Sequence, residues 1–353
     1  MNFIYMKFRM TNISNMKTYS PSNPSSAVIE VRDLSISFAG PQLPDLVSEV
    51  SFSVSKGETL CLVGESGCGK SITSLAVMGL LPDTARIKGQ ALFNGNDLFT
   101  MAERAIEDVR GDDVAMIFQE PMTSLNPAYT IGAQIGEAVT RHRGLTGSAM
   151  RAEVVAIMRR VGIPAPEKRF GYYPHQMSGG QRQRVMIAMA LVNKPHLLIA
   201  DEPTTALDVT IQSQILQLLK QLQQETGTAV VLITHDLRVV AEVGDRVAVM
   251  YAGRVVETGP VQQIFEDPQH PYTVGLFGAT PAMGKRAGKL ATIEGTVPAQ
   301  ANLTAGCRFA PRCPLASATC ATLPPLRAID HPGHMVSCWH APIESYALQL
   351  AAS

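Results

Sequence analysis

The most specific chemistry in the chain lies in the octapeptide GESGCGKS, Gly64 to Ser71. Its three glycines, Gly64, Gly67 and Gly69, let the backbone turn so tightly that successive N–H groups converge on phosphate oxygens, with Glu65, Ser66 and Cys68 filling the positions between. Lys70 is then spaced to reach the β- and γ-phosphates, and Ser71 offers a hydroxyl to Mg²⁺. A second feature is LLIADE, Leu197 to Glu202, an apolar run that ends in two adjacent carboxylates. Ligands of open α/β sheets bind at the carboxyl ends of strands, so both acids are expected beside the glycine loop. Asp201 suits a metal held through its water shell, and Glu202 suits a general base that polarises the water attacking a γ-phosphate. His235 follows the apolar run Ala229–Thr234 and Gln119 follows Val114–Phe118, which places both at the same sheet edge.

The elements that must position these groups are legible as alternating runs. Glu58–Val63 is nearly all apolar or β-favouring and stops at Gly64, as a strand buried on both faces should. Ile72–Leu81 has helical apolar spacing, so the loop sits between a strand and a helix, the context a phosphate loop requires. Val114–Phe118, Leu197–Asp201 and Ala229–Thr234 read as further buried strands, with a long helical stretch over residues 130–160. Strands alternating with helices predict a parallel sheet covered on both sides. Ser178 to Gln181 opens another helix, Arg182–Val192, and a Ser cap followed by bare glycine N–H groups is a good anion site.

Composition sets outer limits. The 353 residues carry thirty basic and thirty acidic side chains, a formal charge of +0, and no general excess that would favour coating nucleic acid. Apolar runs fall far short of the roughly 20 residues a membrane span needs. Residues 1–27 hold neither a continuous apolar core nor a small-residue cleavage site and are expected to be a disordered leader. Without export the compartment is reducing, which argues against structural disulfides among the six cysteines.

Between the two phosphate-directed elements stands MSGGQRQR, Met177 to Arg184, and with it the chain resembles the ATP-binding subunit of an ATP-binding-cassette (ABC) transporter, whose signature is usually LSGGQ. The resemblance runs in order over roughly two-thirds of the chain and implies a P-loop NTPase of α/β class: a RecA-like parallel sheet core, an antiparallel β subdomain and a helical subdomain at about residues 120–180. It implies that Phe38 stacks under adenine, that Gln119 helps to sense Mg²⁺ with Ser71 and Asp201, and that His235 joins Glu202 and Lys70 in catalysis. It also implies that Ser178, Gly179, Gly180, Gln181 and Asp208 serve the ATP of a second ATPase subunit in a head-to-tail pair. The cassette is expected to span residues 28–262.

After Gly259 the composition shifts toward Pro, Gly, Ala and Thr. HPYT (His270–Thr273), IEGTVP (Ile293–Pro298) and the cysteine-bearing run from Cys307 to Cys320 look like the C-terminal extension of oligopeptide and dipeptide importer ATPases, expected over residues 263–345. Cys307, Cys313, Cys320 and Cys338 lie in a stretch too short and Pro-rich to build its own core, and four thiols in a reducing compartment suggest a metal centre. Their wide spacing lacks the close ligand pairs usual for zinc and tolerates a four-iron cluster, which the importer resemblance also implies; His331, His334 and His340 keep zinc open, and unliganded thiols are the third reading. The resemblance further implies ATP and Mg²⁺ as cofactors, two transmembrane permease subunits and an extracytoplasmic substrate-binding protein as partners, and a peripheral position on the cytoplasmic face of the inner membrane. Nickel, opine or sugar import and a soluble, non-transport ATPase of the same superfamily are the alternatives.

Overall fold

The computed structural model describes residues 27–38, 44–120, 124–205, 208–279, 293–329 and 331–345. The expected leader lies outside them, apart from Ala27. Two sheets organise the chain. The smaller is antiparallel, in the order β2-β1-β4-β5, from β1 (Ala27–Ser37), β2 (Val47–Ser55), β4 (Arg86–Phe93) and β5 (Asn96–Asp97). The larger has the order β11-β12-β10-β9-β3-β8-β7-β6. Its inner part is parallel: β6 (Val114–Ile117), β7 (Leu197–Asp201), β8 (Ala229–Ile233), β3 (Thr59–Val63) and β9 (Arg246–Tyr251). β3, β7 and β8 are buried at every position, which is why their sequences run apolar rather than alternating.

The sheet is not parallel throughout. After β9 the chain turns at Ala252 and Gly253 (φ +82°) and returns antiparallel as β10 (Arg254–Pro260). The C-terminal residues then add β12 (Met335–Val336) and β11 (Arg327–Ala328) beyond it. The expected parallel core is present in five strands, and the sheet as a whole is mixed, because β10 returns antiparallel and the extension adds the edge beyond it. A fully buried carboxylate fastens that junction. Glu257 of β10 accepts hydrogen bonds from the backbone N–H groups of Gln269 (2.6 Å) and His270 (3.0 Å), and His334 Nε2 lies 2.7 Å from its Oε1.

The helical stretch expected over 130–160 is two helices, Ile131–Arg143 and Gly147–Arg160. Gly144, left-handed at φ 65°, caps the first and breaks the run, a C-terminal glycine stop that apolar spacing alone conceals. The helix after the glycine loop spans Lys70–Val77, starting two residues before its apolar pattern and ending before Gly79, which is also left-handed.

The HPY triplet explains itself locally. His270 Nδ1 accepts from the N–H of Tyr272 (3.1 Å) and caps the helix Pro271–Gly278, Pro271 takes the first helical position, and Tyr272 enters the core. Burial of His270 drives its pKa down to about 3, so it stays neutral in the fold. The unfolded chain takes up that proton below about 6.5, and stability contributed by neutral His270 is complete above that pH and lost as pH falls toward 3. A wild-type fold is expected to lose about 2 kcal/mol by pH 5 through this group. Thermal melts between pH 8 and 5 on wild type and His270→Asn check it: the variant should show the shallower acid slope, and parallel slopes would contradict the assignment.

Candidate functional site

β3 delivers the glycine loop and the helix Lys70–Val77 carries it away. Gly64 sits at φ +153°, where a Cβ would lie 2.2 Å from the Met250 carbonyl oxygen and 2.8 Å from Cys68 Sγ, so the packing leaves no room for any side chain. Gly69, left-handed at φ 103°, precedes the helix, and no side chain caps it, which leaves its first N–H groups free of a competing side-chain acceptor. A Cβ on Gly67 would meet open space. Lys70 is only 6% exposed, and its ammonium donates to the carbonyls of Gly64 (2.8 Å) and Glu65 (3.0 Å). Lys70 is thereby stored over its own loop, a short movement from the space the glycines frame.

Asp201 ends β7, buried, and its Oδ1 accepts from the Ser71 hydroxyl at 3.1 Å. Burial pushes the Asp201 pKa up and Glu202 adds to the rise, while the Ser71 bond and Lys70 oppose it. A hydroxyl and a carboxylate presented together are hard oxygen donors, the set Mg²⁺ takes, and the glycine-framed helix start suits phosphate. The residues present therefore fit both ATP and its metal.

Glu202 is where the separate runs of sequence meet. Its backbone is left-handed (φ 46°), a strained setting for a non-glycine residue, fixed in part by its N–H donating to the Ile233 carbonyl of β8 at 3.0 Å. Its Oε2 accepts from Thr205 Oγ1 (2.7 Å) and Gln119 Nε2 (3.2 Å), and His235 Nδ1 stands 3.2 Å from Oε1. Burial alone would raise its pKa, but the Thr205 bond, the His235 contact and Lys70 outweigh it and hold the carboxyl below its usual value. Gln119, Glu202 and His235, which come from three strand ends, thus share one carboxylate. Thr205 is a functional neighbour that no motif in the sequence marks; its one signal is its place three residues after Glu202.

The signature residues form a second locality. Ser178 caps the helix Gly179–Leu191, its Oγ accepting from the N–H of Gln181 (3.4 Å) while Gln181 Oε1 accepts from the N–H of Ser178 (3.2 Å). A Cβ on Gly179 would meet nothing within 4 Å, whereas one on Gly180 would press on Ile211 Cγ2 at 3.0 Å. Asp208 caps the helix that carries Ile211, accepting from its N–H at 2.9 Å. Ser178 to Gln181 and Asp208 are joined in this way to one another. Phe38, at the end of β1, is 37% exposed rather than buried in the core, which leaves its ring face available for stacking.

The four tail cysteines are drawn into one neighbourhood. The N–H of Cys307 donates to the carbonyl of Cys320 (3.0 Å), Cys320 Sγ lies 3.7 Å from His340 Nε2, and the thiols sense one another's charge. Burial raises the pKa values of Cys307, Cys313 and Cys338, with Cys313 pushed up to about 12 and Cys338 to about 11. Among the described residues no three His, Cys, Asp or Glu groups are arranged to hold a metal ion. The expectation of an iron–sulfur or zinc centre on Cys307, Cys313, Cys320 and Cys338 is therefore not supported. Cys307 and Cys313 pack against the main core and Cys338 sits with Val336 and Ala341, so apolar packing of neutral thiols accounts for these three, while Cys320 faces Ser317 and His340.

A glycine loop holding a buried lysine, a Ser71–Asp201 hydrogen bond at the strand end and a carboxylate shared by Gln119, Thr205 and His235 are the arrangement of an ABC-type ATPase. Residues 47–205 match the ABC transporter family, and residues 256–320 match the oligopeptide/dipeptide transporter C-terminal region. The chain is 50% identical over 316 residues to the dipeptide transport ATP-binding protein DppD of Bacillus subtilis, covering 88% of this chain and 94% of that one. It is 46% identical over 334 residues to the oligopeptide transport ATP-binding protein OppD of Salmonella typhimurium, covering 94% and 99%. Among solved structures it is similar to the ATP-binding cassette MJ0796 in a dimeric post-hydrolysis state bound to ADP and Pi, at a TM-score of 0.59 and 27% identity over 66% of this chain and 98% of that one. This chain belongs to the ATP-binding subunits of ABC transporters, in the oligopeptide/dipeptide branch.

Proposed function

We propose that the chain is the ATP-hydrolysing subunit that energises import of di- and oligopeptides. The observation that carries the hydrolytic part is the convergence on Glu202: a partly buried carboxylate, held below its usual pKa, that follows Asp201 of the Ser71–Asp201 pair and lies within the electrostatic reach of Lys70. In this reading Gly64 to Ser71 cradle the phosphates, Ser71, Gln119 and Asp201 serve Mg²⁺, Glu202 acts as base, and His235 orients it. Phe38 stacks on adenine. Bound Mg²⁺ supplies charge neutralisation at the β- and γ-oxygens.

The signature helix start and Asp208 lie together, which supports a second ATPase subunit whose nucleotide they cover. Among the described residues no helix is long and apolar enough to cross a membrane. In this reading two permease subunits supply the path, an extracytoplasmic binding protein supplies the cargo, and the chain sits peripherally on the cytoplasmic face. Residues 28–262 form the cassette and 263–345 the extension. The peptide assignment rests on the transporter C-terminal region at 256–320 and on the dipeptide and oligopeptide relatives.

Inverted membrane vesicles are the wrong orientation for import, so the test uses proteoliposomes of the complete transporter with ATP enclosed and the binding protein outside. Labelled di- and tripeptides are expected to accumulate only with enclosed ATP and not with the Glu202→Gln chain. Accumulation of nickel or a sugar with no uptake of peptide would overturn the assignment.

A further inference from the structure

We propose that Arg312, in the cysteine-bearing extension, is a positioning residue for the phosphate loop, acting through Glu65. The two residues are 247 apart in sequence, yet Arg312 Nη1 donates to both Glu65 carboxylate oxygens at 3.2 Å. The rest of the guanidinium is fully engaged. Nε donates to the Glu294 carbonyl (2.9 Å), Nη2 to the carbonyls of Gly295 (3.1 Å) and Ile293 (3.4 Å), and Nη1 also to Tyr251 Oη (3.3 Å). The group lies over the rings of Tyr251 and Phe309, and its side chain is 8% exposed. A planar cation held from this many sides has one available position, so it fixes its partner rather than following it.

Glu65 is held a second time, because its backbone N–H donates to Tyr272 Oη at 2.9 Å. Tyr251, Tyr272 and Phe309 pack together with ring centroids 4.7 to 5.5 Å apart, so both holds belong to one aromatic block under the loop. Arg308 reinforces that block from one turn earlier. It donates to the carbonyl of Ala252 and to Ser48 Oγ (2.6 Å), and the adjoining Gly253 N–H donates to the Cys68 carbonyl of the loop (2.9 Å).

The consequence falls on Lys70. Its ammonium rests on the carbonyls of Gly64 and Glu65 and must leave at least one of them to meet a phosphate. With Glu65 pinned by side chain and N–H, the loop keeps its open shape while Lys70 moves. Unpinned, the loop can close around the ammonium, and nucleotide must first reopen it. Arg312 thus sets the affinity for ATP and leaves the hydrolytic step at Glu202 untouched.

This rests on the nucleotide site proposed above, and the test separates the two. MgATP turnover of the full-length chain is measured for wild type, Arg312→Gln, Arg312→Lys, Glu65→Gln, the Arg312→Gln/Glu65→Gln pair and Lys70→Ala. Arg312→Gln and Glu65→Gln are each expected to raise KM about fivefold or more with kcat within about twofold, the pair no more than either alone, and Arg312→Lys to restore part of the loss. An Arg312→Gln protein that melts at a lower temperature with unchanged KM would overturn the proposal, as would additive effects in the pair. If Arg312→Gln fails to fold, Glu65→Gln decides, since it cuts the same contact from the loop side, and unchanged KM there is also fatal. Full activity in Lys70→Ala would instead remove the nucleotide site itself.

Discussion

Glu202→Gln protein is expected to bind MgATP with close to wild-type affinity and to turn it over about 10²- to 10³-fold more slowly. The substitution is nearly isosteric and keeps an oxygen that can accept from Thr205, so the left-handed turn and its bond to Ile233 need not move. What it removes is the negative charge and the proton-accepting oxygen facing His235. The lowered pKa of Glu202 gives the sign of the pH response: the carboxylate is ionised throughout the neutral range and loses its charge only below the ordinary glutamate range. Turnover should therefore not fall from protonation of Glu202 between pH 8 and 5. Single-turnover kinetics separates binding from chemistry; unchanged turnover in the glutamine variant would remove the base role.

Lys70→Ala carries the other large effect. Contacts between charged groups contribute about 1.5–3 kcal/mol each, so loss of an ammonium that would meet phosphate oxygens is expected to weaken ATP binding roughly 10- to 100-fold and to take turnover to background. The same substitution takes the Lys70 ammonium away from the carbonyls of Gly64 and Glu65, so part of the loss reflects a loosened loop. Arg312 and Tyr272 continue to hold Glu65 in that variant, which keeps the fold intact while the affinity drops.

Much of the site is legible because its chemistry is local. Gly64 to Ser71 must be contiguous to wrap phosphate, Asp201 and Glu202 must end a buried strand, and Ser178 must precede its helix by one residue, so spacing alone marks all three. Gln119 and His235 are legible at one remove, as the residues that follow apolar runs; their meeting on one carboxylate depends on β6, β7 and β8 lying side by side, which the run lengths do not state. The hold of Arg312 on Glu65 left no mark, since neither residue has unusual neighbours and only the return of the extension beneath the loop brings them together. The large sheet becomes mixed where β10 turns back antiparallel to β9, and the same return of the extension adds two-residue strands beyond it, too short for any periodicity to announce. For the tail cysteines the sequence shows number and spacing, whereas a metal centre depends on how the thiols face one another, and among the described residues they form no metal-holding arrangement, with Cys313 and Cys338 kept neutral by burial.

The most direct measurement is calorimetric titration of MgATP into the wild-type chain and into Lys70→Ala under one buffer. Saturable binding by the wild type and at least tenfold weaker binding by the variant is the result expected if amides, ammonium and the two acids hold a triphosphate together. Equal affinities would mean that the nucleotide is held elsewhere.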